Sequence, residues 1–309
     1  MMAQRSHSDR RELIREHAFS AAGLTAAIAL VATIVLFFVQ LFVTSRASRT
    51  AFGLSFLWRS EWNPVTEQFA ALPMVVGTLA TGFGALLIST PFALGIAIFL
   101  ADYAGKKVAE PIKYLIGLLG GLPSVIFGLW GLFVLVPLVS KFEVWFGNLV
   151  GSEALVASGT TGVGLLAAIL LLAIMILPFS SSLILESLLV VPAELKEGAL
   201  ALGATKWDTI QSIELPYVRK STVGALVLSL GRALGETMAV TMVIGNGMKM
   251  PRTLFDPGNT LASAIANQFL EATSPLYVAS LIELALILFV IAIIINIAAR
   301  VILRRGVQQ

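Results

Sequence analysis

Residues Val191 to Lys220 read V-P-A-E-L-K-E-G-A-L-A-L-G-A-T-K-W-D-T-I-Q-S-I-E-L-P-Y-V-R-K and lie between two apolar runs. For a connection between hydrophobic segments the stretch is long, and it carries its own structural signals. Ala193 to Leu202 is rich in strong helix formers, and Pro192 stands just before it, where a missing N–H is tolerated. Gly203 follows, and a residue without Cβ can turn the chain sharply through left-handed dihedrals. Thr209, Ile210, Ile213 and Leu215 continue toward the next apolar run, and Pro216 is expected to end that segment. Such a stretch predicts a rigid element on the membrane surface, tied to the spans at both ends. Composition alone equally allows a helical hairpin that merely covers the spans.

The rest of the chain places the loop in a membrane protein. Of 309 residues, 57% are hydrophobic and 13% charged, and mean hydropathy is +0.90. Soluble domains carry about a quarter charged residues, so this composition belongs in a bilayer. No cysteine is present, which excludes disulfides and thiolate metal sites. The net charge of +3 needs no nucleic acid to explain it, because the basic residues flank apolar spans.

A helix needs about twenty apolar residues to cross the hydrocarbon layer. Six windows qualify: Ala18–Val43, Leu72–Ala101, Ile112–Val139, Val163–Leu189, Val223–Ile244 and Leu276–Val301. The expected fold is therefore all-α, a polytopic membrane protein with six transmembrane helices. The first window follows Arg5, Arg10, Arg11 and Arg15, but its apolar core is too long for a signal peptide, so it reads as a retained span. Fourteen basic residues fall on the side of the termini and the long loop against six opposite, which predicts cytoplasmic termini. Trp58 and Trp62 are expected in an interfacial aromatic belt on the other side. There too, Asp256-Pro257-Gly258-Asn259 signals a turn, and Leu261, Ile265 and Phe269 share one face of a short amphipathic helix expected near the interface. Prolines at 91, 123, 137 and 178, and the pairs Gly117/Gly121 and Gly231/Gly235, mark the spans as deformable and closely packed. Internal repeats are not evident.

Span five contains G-R-A-L-G-E-T-M-A-V, with Arg232 and Glu236 inside an otherwise apolar stretch. On a continuous helix their i,i+4 spacing places both on one face within pairing distance. Each ion costs at least a few kcal/mol near the bilayer centre, so that face must meet protein or a wet cavity. Two readings stay open: a structural salt bridge, or an anion site in which Arg232 meets an oxyanion through its planar fork and Glu236 assists. Ser124, beside the Pro123 break, either lines the same pathway or caps its helix. Glu283 in span six reads as an interface residue.

The loop resembles the EAA loop of ABC-importer permeases, which docks onto a separate ATPase subunit. The matching positions are Glu197, Ala199, Gly203, Ile213, Leu215 and Pro216; Gly198 departs from the pattern, standing where a second alanine is usual. Three further segments narrow the resemblance: W-N-P-V-T-E-Q-F-A-A-L-P-M-V-V-G-T-L (Trp62–Leu79), L-P-S-V-I-F-G-L-W-G-L-F-V-L-V-P (Leu122–Pro137) and L-G-R-A-L-G-E-T-M-A-V (Leu230–Val240). Together they are similar to phosphate-specific ABC permeases of the PstC type. The resemblance implies the type I importer (MetI-like) fold in a bacterial cytoplasmic membrane, a PstA-type permease partner, a PstB-type ATPase dimer and a phosphate-binding protein. It also implies that intramembrane charges matching Arg232 and Glu236 matter for transport. The domain layout it suggests is a tail over 1–17, a first span with its connection over 18–71, a permease domain over 72–303 that includes the loop at 191–220, and a tail over 304–309.

Other classes fit less well. No G-x-x-x-x-G-K-[ST] occurs, so ATP is expected to bind only on a partner, and the chain itself needs no cofactor or metal. An ion-coupled secondary transporter would call for repeats and paired discontinuous helices. An intramembrane enzyme lacks candidates, since the only histidines are His7 and His17 in the tail. A permease of the same superfamily for sulfate or molybdate remains open, because Arg232 accepts any tetrahedral oxyanion.

Overall fold

The computed structural model describes residues 2–151 and 161–305. Residues 306–309 of the expected C-terminal tail lie outside them, as do the side chains of most of the 1–17 tail. Among the described residues everything regular is helical, apart from an isolated bridge between Asn63 and Gln68.

Five helical runs are long and apolar enough to cross a membrane: Phe19–Thr44, Leu72–Tyr103, Ser124–Leu149, Leu165–Leu189 and Pro275–Val301. Leu165–Leu189 forms the centre. It is apolar on all sides, as a helix surrounded by others must be, and 67% of its most apolar window is buried. The same window of the first helix is 0% buried, so that helix lies outside the bundle. It meets the last helix through Phe37 and Phe38 against Phe289, and the short helix Arg46–Phe52 that follows it continues the antiparallel run, with Ser280 Oγ donating to Ser48 Oγ at 3.1 Å.

Two expected spans differ from the hydropathy windows. The third begins at Ser124, not Ile112; Lys106–Gly120 is a separate helix. Pro123 disfavours helical dihedrals at Leu122, and the Gly120-Gly121 pair weakens the chain just before it. The fifth is divided. A helix covers Leu215–Gly235, Glu236 is extended at φ −69° and ψ 129°, and a second short helix covers Met238–Val243. Pro216 does not end a segment as expected but sits in the first turn of Leu215–Gly235. The wide turn Ile210–Glu214 precedes it, in which the Leu215 N–H reaches back five residues to the Ile210 carbonyl. A proline in a first turn removes no helical hydrogen bond, so the helix runs through. Similar wide turns occur at Phe99–Tyr103 and at Gly131–Leu135, the latter just before Pro137.

Three apolar clusters stack along the bundle. One lies at the loop end, around Ala97, Leu100, Leu188 and Val218. A second fills the middle, around Leu171, Leu172, Met175 and Val240. The third, at the opposite end, joins Phe56, Trp62, Phe69, Met74, Leu261 and Tyr277. This last cluster overturns one expectation. Trp62 is no interfacial residue: it is buried against Phe69 and donates Nε1–H to Gln268 at 2.7 Å. The helix Leu261–Gln268 packs into the protein, with its first four residues buried. Thr260 and Ser263 close its capping box, and the Leu261 N–H donates to Thr78 Oγ1 at 2.8 Å, deep against span two. Glu283 is likewise buried rather than interfacial, with Oε2 unpartnered.

Candidate functional site

The break in span five decides the geometry around Arg232 and Glu236. Because the helix ends at Gly235, the two charges do not share an i,i+4 face, and no ion pair joins them. The structural salt bridge is therefore not formed. Glu236 turns instead to the second half-helix, where Oε1 accepts from the Ala239 N–H at 3.3 Å. Carboxylates are favoured at a helix N-terminus, so the residue has an alternative use for its charge. Arg232, half-buried, donates Nη2–H to the Gly120 carbonyl at 3.4 Å and stands 5.4 Å from the Phe179 ring centroid. The long bond and the cation–π contact leave most of its five donors without a partner among the described residues.

Arg232 reaches Gly120, and further along Gly128 lies against Ala239 and Met242. Ser124 falls between these two points and so runs beside the break, at the first position of its helix. Arg232, Glu236 and Ser124 thus lie in one region, as neighbours of a discontinuity. Irregular backbone at membrane depth is tolerated only inside protein or against a water-filled cavity. Gly117, Gly120, Gly231 and Gly235 all have open space where a Cβ would stand. The Arg232–Gly120 contact sets these smooth patches side by side.

At the loop end, the helix Ala193–Ala201 buries none of its residues. Glu197 and Gly203 are exposed, as are Leu195, Leu200 and Trp207, and Leu202 is 92% exposed. Ile213 and Leu215 are half-buried, and between them Glu214 is only 2% exposed. The helix ends in a Schellman arrangement: Gly203 N–H donates to Leu200 O at 3.0 Å and Ala204 N–H to Ala199 O at 3.1 Å, with Gly203 at φ +90°. Of the six loop positions, Glu197 and Gly203 face outward, Ala199 is half-buried, and Ile213, Leu215 and the exposed Pro216 belong to the segment leading into span five.

Sequence reasoning missed what holds this loop. Lys196 Nζ lies 2.9 Å from Asp102 Oδ1, at the end of span two, and 2.7 Å from Glu214 Oε2. Burial lowers the lysine's proton affinity, yet its bonds to Glu214 and Asp102 more than offset this and hold the ammonium above the usual lysine range. Glu214 is pushed above the usual carboxylate range, first by burial and further by the charge of Asp102, against the pull of Lys196. Lys206 adds a second tie, 3.4 Å from the Asp102 carbonyl and 5.7 Å from the Tyr103 ring centroid. The available signal was Glu214 itself, a charge between Ile213 and Leu215 at the foot of an apolar span.

Fold and site together define a polytopic transport subunit with an exposed loop at one end and a cationic break within the membrane. The chain belongs to the family of binding-protein-dependent transport system inner membrane components, whose model matches residues 93–306. It is 41% identical to the phosphate transport system permease protein PstC of Mesorhizobium japonicum, over 98% of this chain and 94% of that protein. Against PstC of Pasteurella multocida it is 45% identical, over 84% of this chain and 82% of that protein. A probable PstC from Methanocaldococcus jannaschii is 36% identical, covering 81% and 80%. These relatives are transport permeases, not enzymes. Solved structures share the fold at low identity. A bacterial alginate ABC transporter matches with a TM-score of 0.61 at 19% identity, covering 89% of this chain and 92% of that one. The MetNI methionine ABC transporter matches at 0.58 and 20%, covering 79% and 99%.

Proposed function

We propose that this chain forms half of the translocation pathway of an ATP-driven importer of inorganic phosphate. The observation that carries this reading is Arg232, a guanidinium with spare donors beside a break in span five. Phosphate and guanidinium match in geometry, and a bidentate contact at that depth replaces hydration the anion would lose. Ser124 and the unwound backbone at Glu236 and Thr237 supply further polar groups beside it.

The chain pairs with a PstA-type permease across the open glycine faces of 117–121 and 231–235. A PstB-type ATPase dimer docks on the outward surface of the loop, at Glu197, Gly203 and the exposed leucines, and a phosphate-binding protein delivers substrate on the opposite side. The loop and both termini face the cytoplasm of a bacterial cell, in line with the excess of basic residues there. ATP and the loaded binding protein favour different states of the bundle, and the anion passes as they alternate. The permease domain over 72–303 is the working unit, consistent with a first helix that stays outside the bundle.

Uptake of radiolabelled phosphate, with sulfate and molybdate as competitors, tests this reading. A lost charged hydrogen bond of about 1.5–3 kcal/mol predicts that Arg232→Gln lowers uptake about ten- to hundredfold while the subunits still copurify. Uptake at the parental rate would remove the anion role. Competition by sulfate as strong as by phosphate would reassign the substrate to another oxyanion, and uptake that survives ATP depletion would place the chain among secondary transporters.

A further inference from the structure

The loop helix presents a mechanical problem. It buries no residue of its own, so apolar packing does not set its orientation. Val191 anchors the chain just before it, and Gly203 turns the chain just after it. Between them Lys196 reaches inward, one turn into the helix, and its two acceptors belong to different spans. Asp102 lies in the wide turn Phe99–Tyr103 that finishes span two. Glu214 closes the wide turn Ile210–Glu214 that begins span five. Wide turns of this type are places where helices change register, and they recur at functional sites.

The charges reinforce the point. Two carboxylates share one ammonium, and Asp102 Oδ2 is buried without a hydrogen-bond partner among the described residues. Take the ammonium away and two buried acids face each other. Lys206, on the second arm of the loop, holds only the backbone carbonyl of Asp102 and the Tyr103 ring, so it cannot replace that charge between the carboxylates. Span five carries Arg232, and span two packs along the central helix Leu165–Leu189. A displacement of the loop therefore has one short ionic route into both.

We infer that Lys196 is a positioning residue, an ionic clamp that makes spans two and five follow the loop together when the loop is displaced. This rests on the proposed docking of an ATPase to the loop, because something must displace it. Lys196 is half-buried, whereas Glu197, Gly203 and Leu202 are exposed, so docking and transmission use different residues.

The test uses the assembled complex in proteoliposomes. The chain has no cysteine, so a single Ala201→Cys on the outer end of the loop helix reports contact with the ATPase by cross-linking. Lys196→Met is expected to keep this cross-link and continuing ATP hydrolysis, while phosphate moved per ATP falls about tenfold, within the usual range of coupling energies between sites. Lys196→Arg, which keeps the charge, is expected to restore most of it. If Lys196→Met does not assemble, Lys196→Met combined with Glu214→Gln relieves the repulsion and takes its place, with the same loss expected. Parental phosphate per ATP in the assembled single or double variant would overturn the clamp. Absence of the cross-link in the parent complex would instead remove the docking reading, and the clamp with it.

Discussion

Gly203 offers a perturbation whose cost within this chain can be worked out before any partner is considered. It occupies the left-handed position of the Schellman arrangement that ends Ala193–Ala201, at φ +90°. An added Cβ would meet nothing within 4 Å, so alanine there does not collide with this chain. What remains is backbone strain, about 1–2 kcal/mol for an ordinary L-residue. That is a factor of about 5–30 in the population of the native turn. Gly203→Ala should therefore lower uptake by up to that factor. Gly203→Asn should fall between Ala and the parent, since asparagine tolerates left-handed dihedrals. Gly203→Trp carries the same backbone strain as Ala and adds bulk at an exposed turn, so an extra loss of uptake together with lost copurification of the ATPase marks a partner docked there. Uptake and copurification of the ATPase in the three variants give the comparison. Equal losses for Ala and Trp would refute docking at this turn, and an Ala variant equal to the parent would refute the need for the turn itself.

Two other outcomes follow from the packing and the clamp. An added Cβ at Gly77 would stand 2.0 Å from the backbone carbonyl of Asn259, which cannot move aside. Gly77→Ala should cost about 1–3 kcal/mol, read as a lowered melting temperature of the purified protein, whereas Gly23→Ala, in open space inside a helix, should not lower it. The clamp also predicts a pH dependence. Lys196 titrates above its ordinary 10.5 in the folded protein, so its stabilisation is fully present below that pH and is lost as pH rises through the folded value. The melting-temperature gap between parent and Lys196→Met should hold at neutral pH and close in strong alkali; a gap that persists there would count against an ionic clamp. Glu214 is also raised, from 4.5, so its protonated form favours the folded state and mild acid should not unfold the protein through this residue.

The helical membrane class, the position of most spans and the capped helix of the loop were legible in the residues alone. These are properties of short windows: apolar length decides membrane crossing, and helix formers closed by Gly203 decide a capped loop helix. Ser124, Arg232 and Glu236 were also legible, since charges and a proline break stand out against an apolar background. What these residues contact came from the packing of distant segments. Hydropathy averages over a window and does not register an interrupted backbone, so the break after Gly235 and the separation of Arg232 from Glu236 stayed hidden. Trp62 and Glu283 illustrate the same limit, because what buries them comes from other parts of the chain. Lys196 is the clearest case. Its partners lie 94 residues upstream and 18 downstream, and the bundle alone brings them within bonding distance of one ammonium.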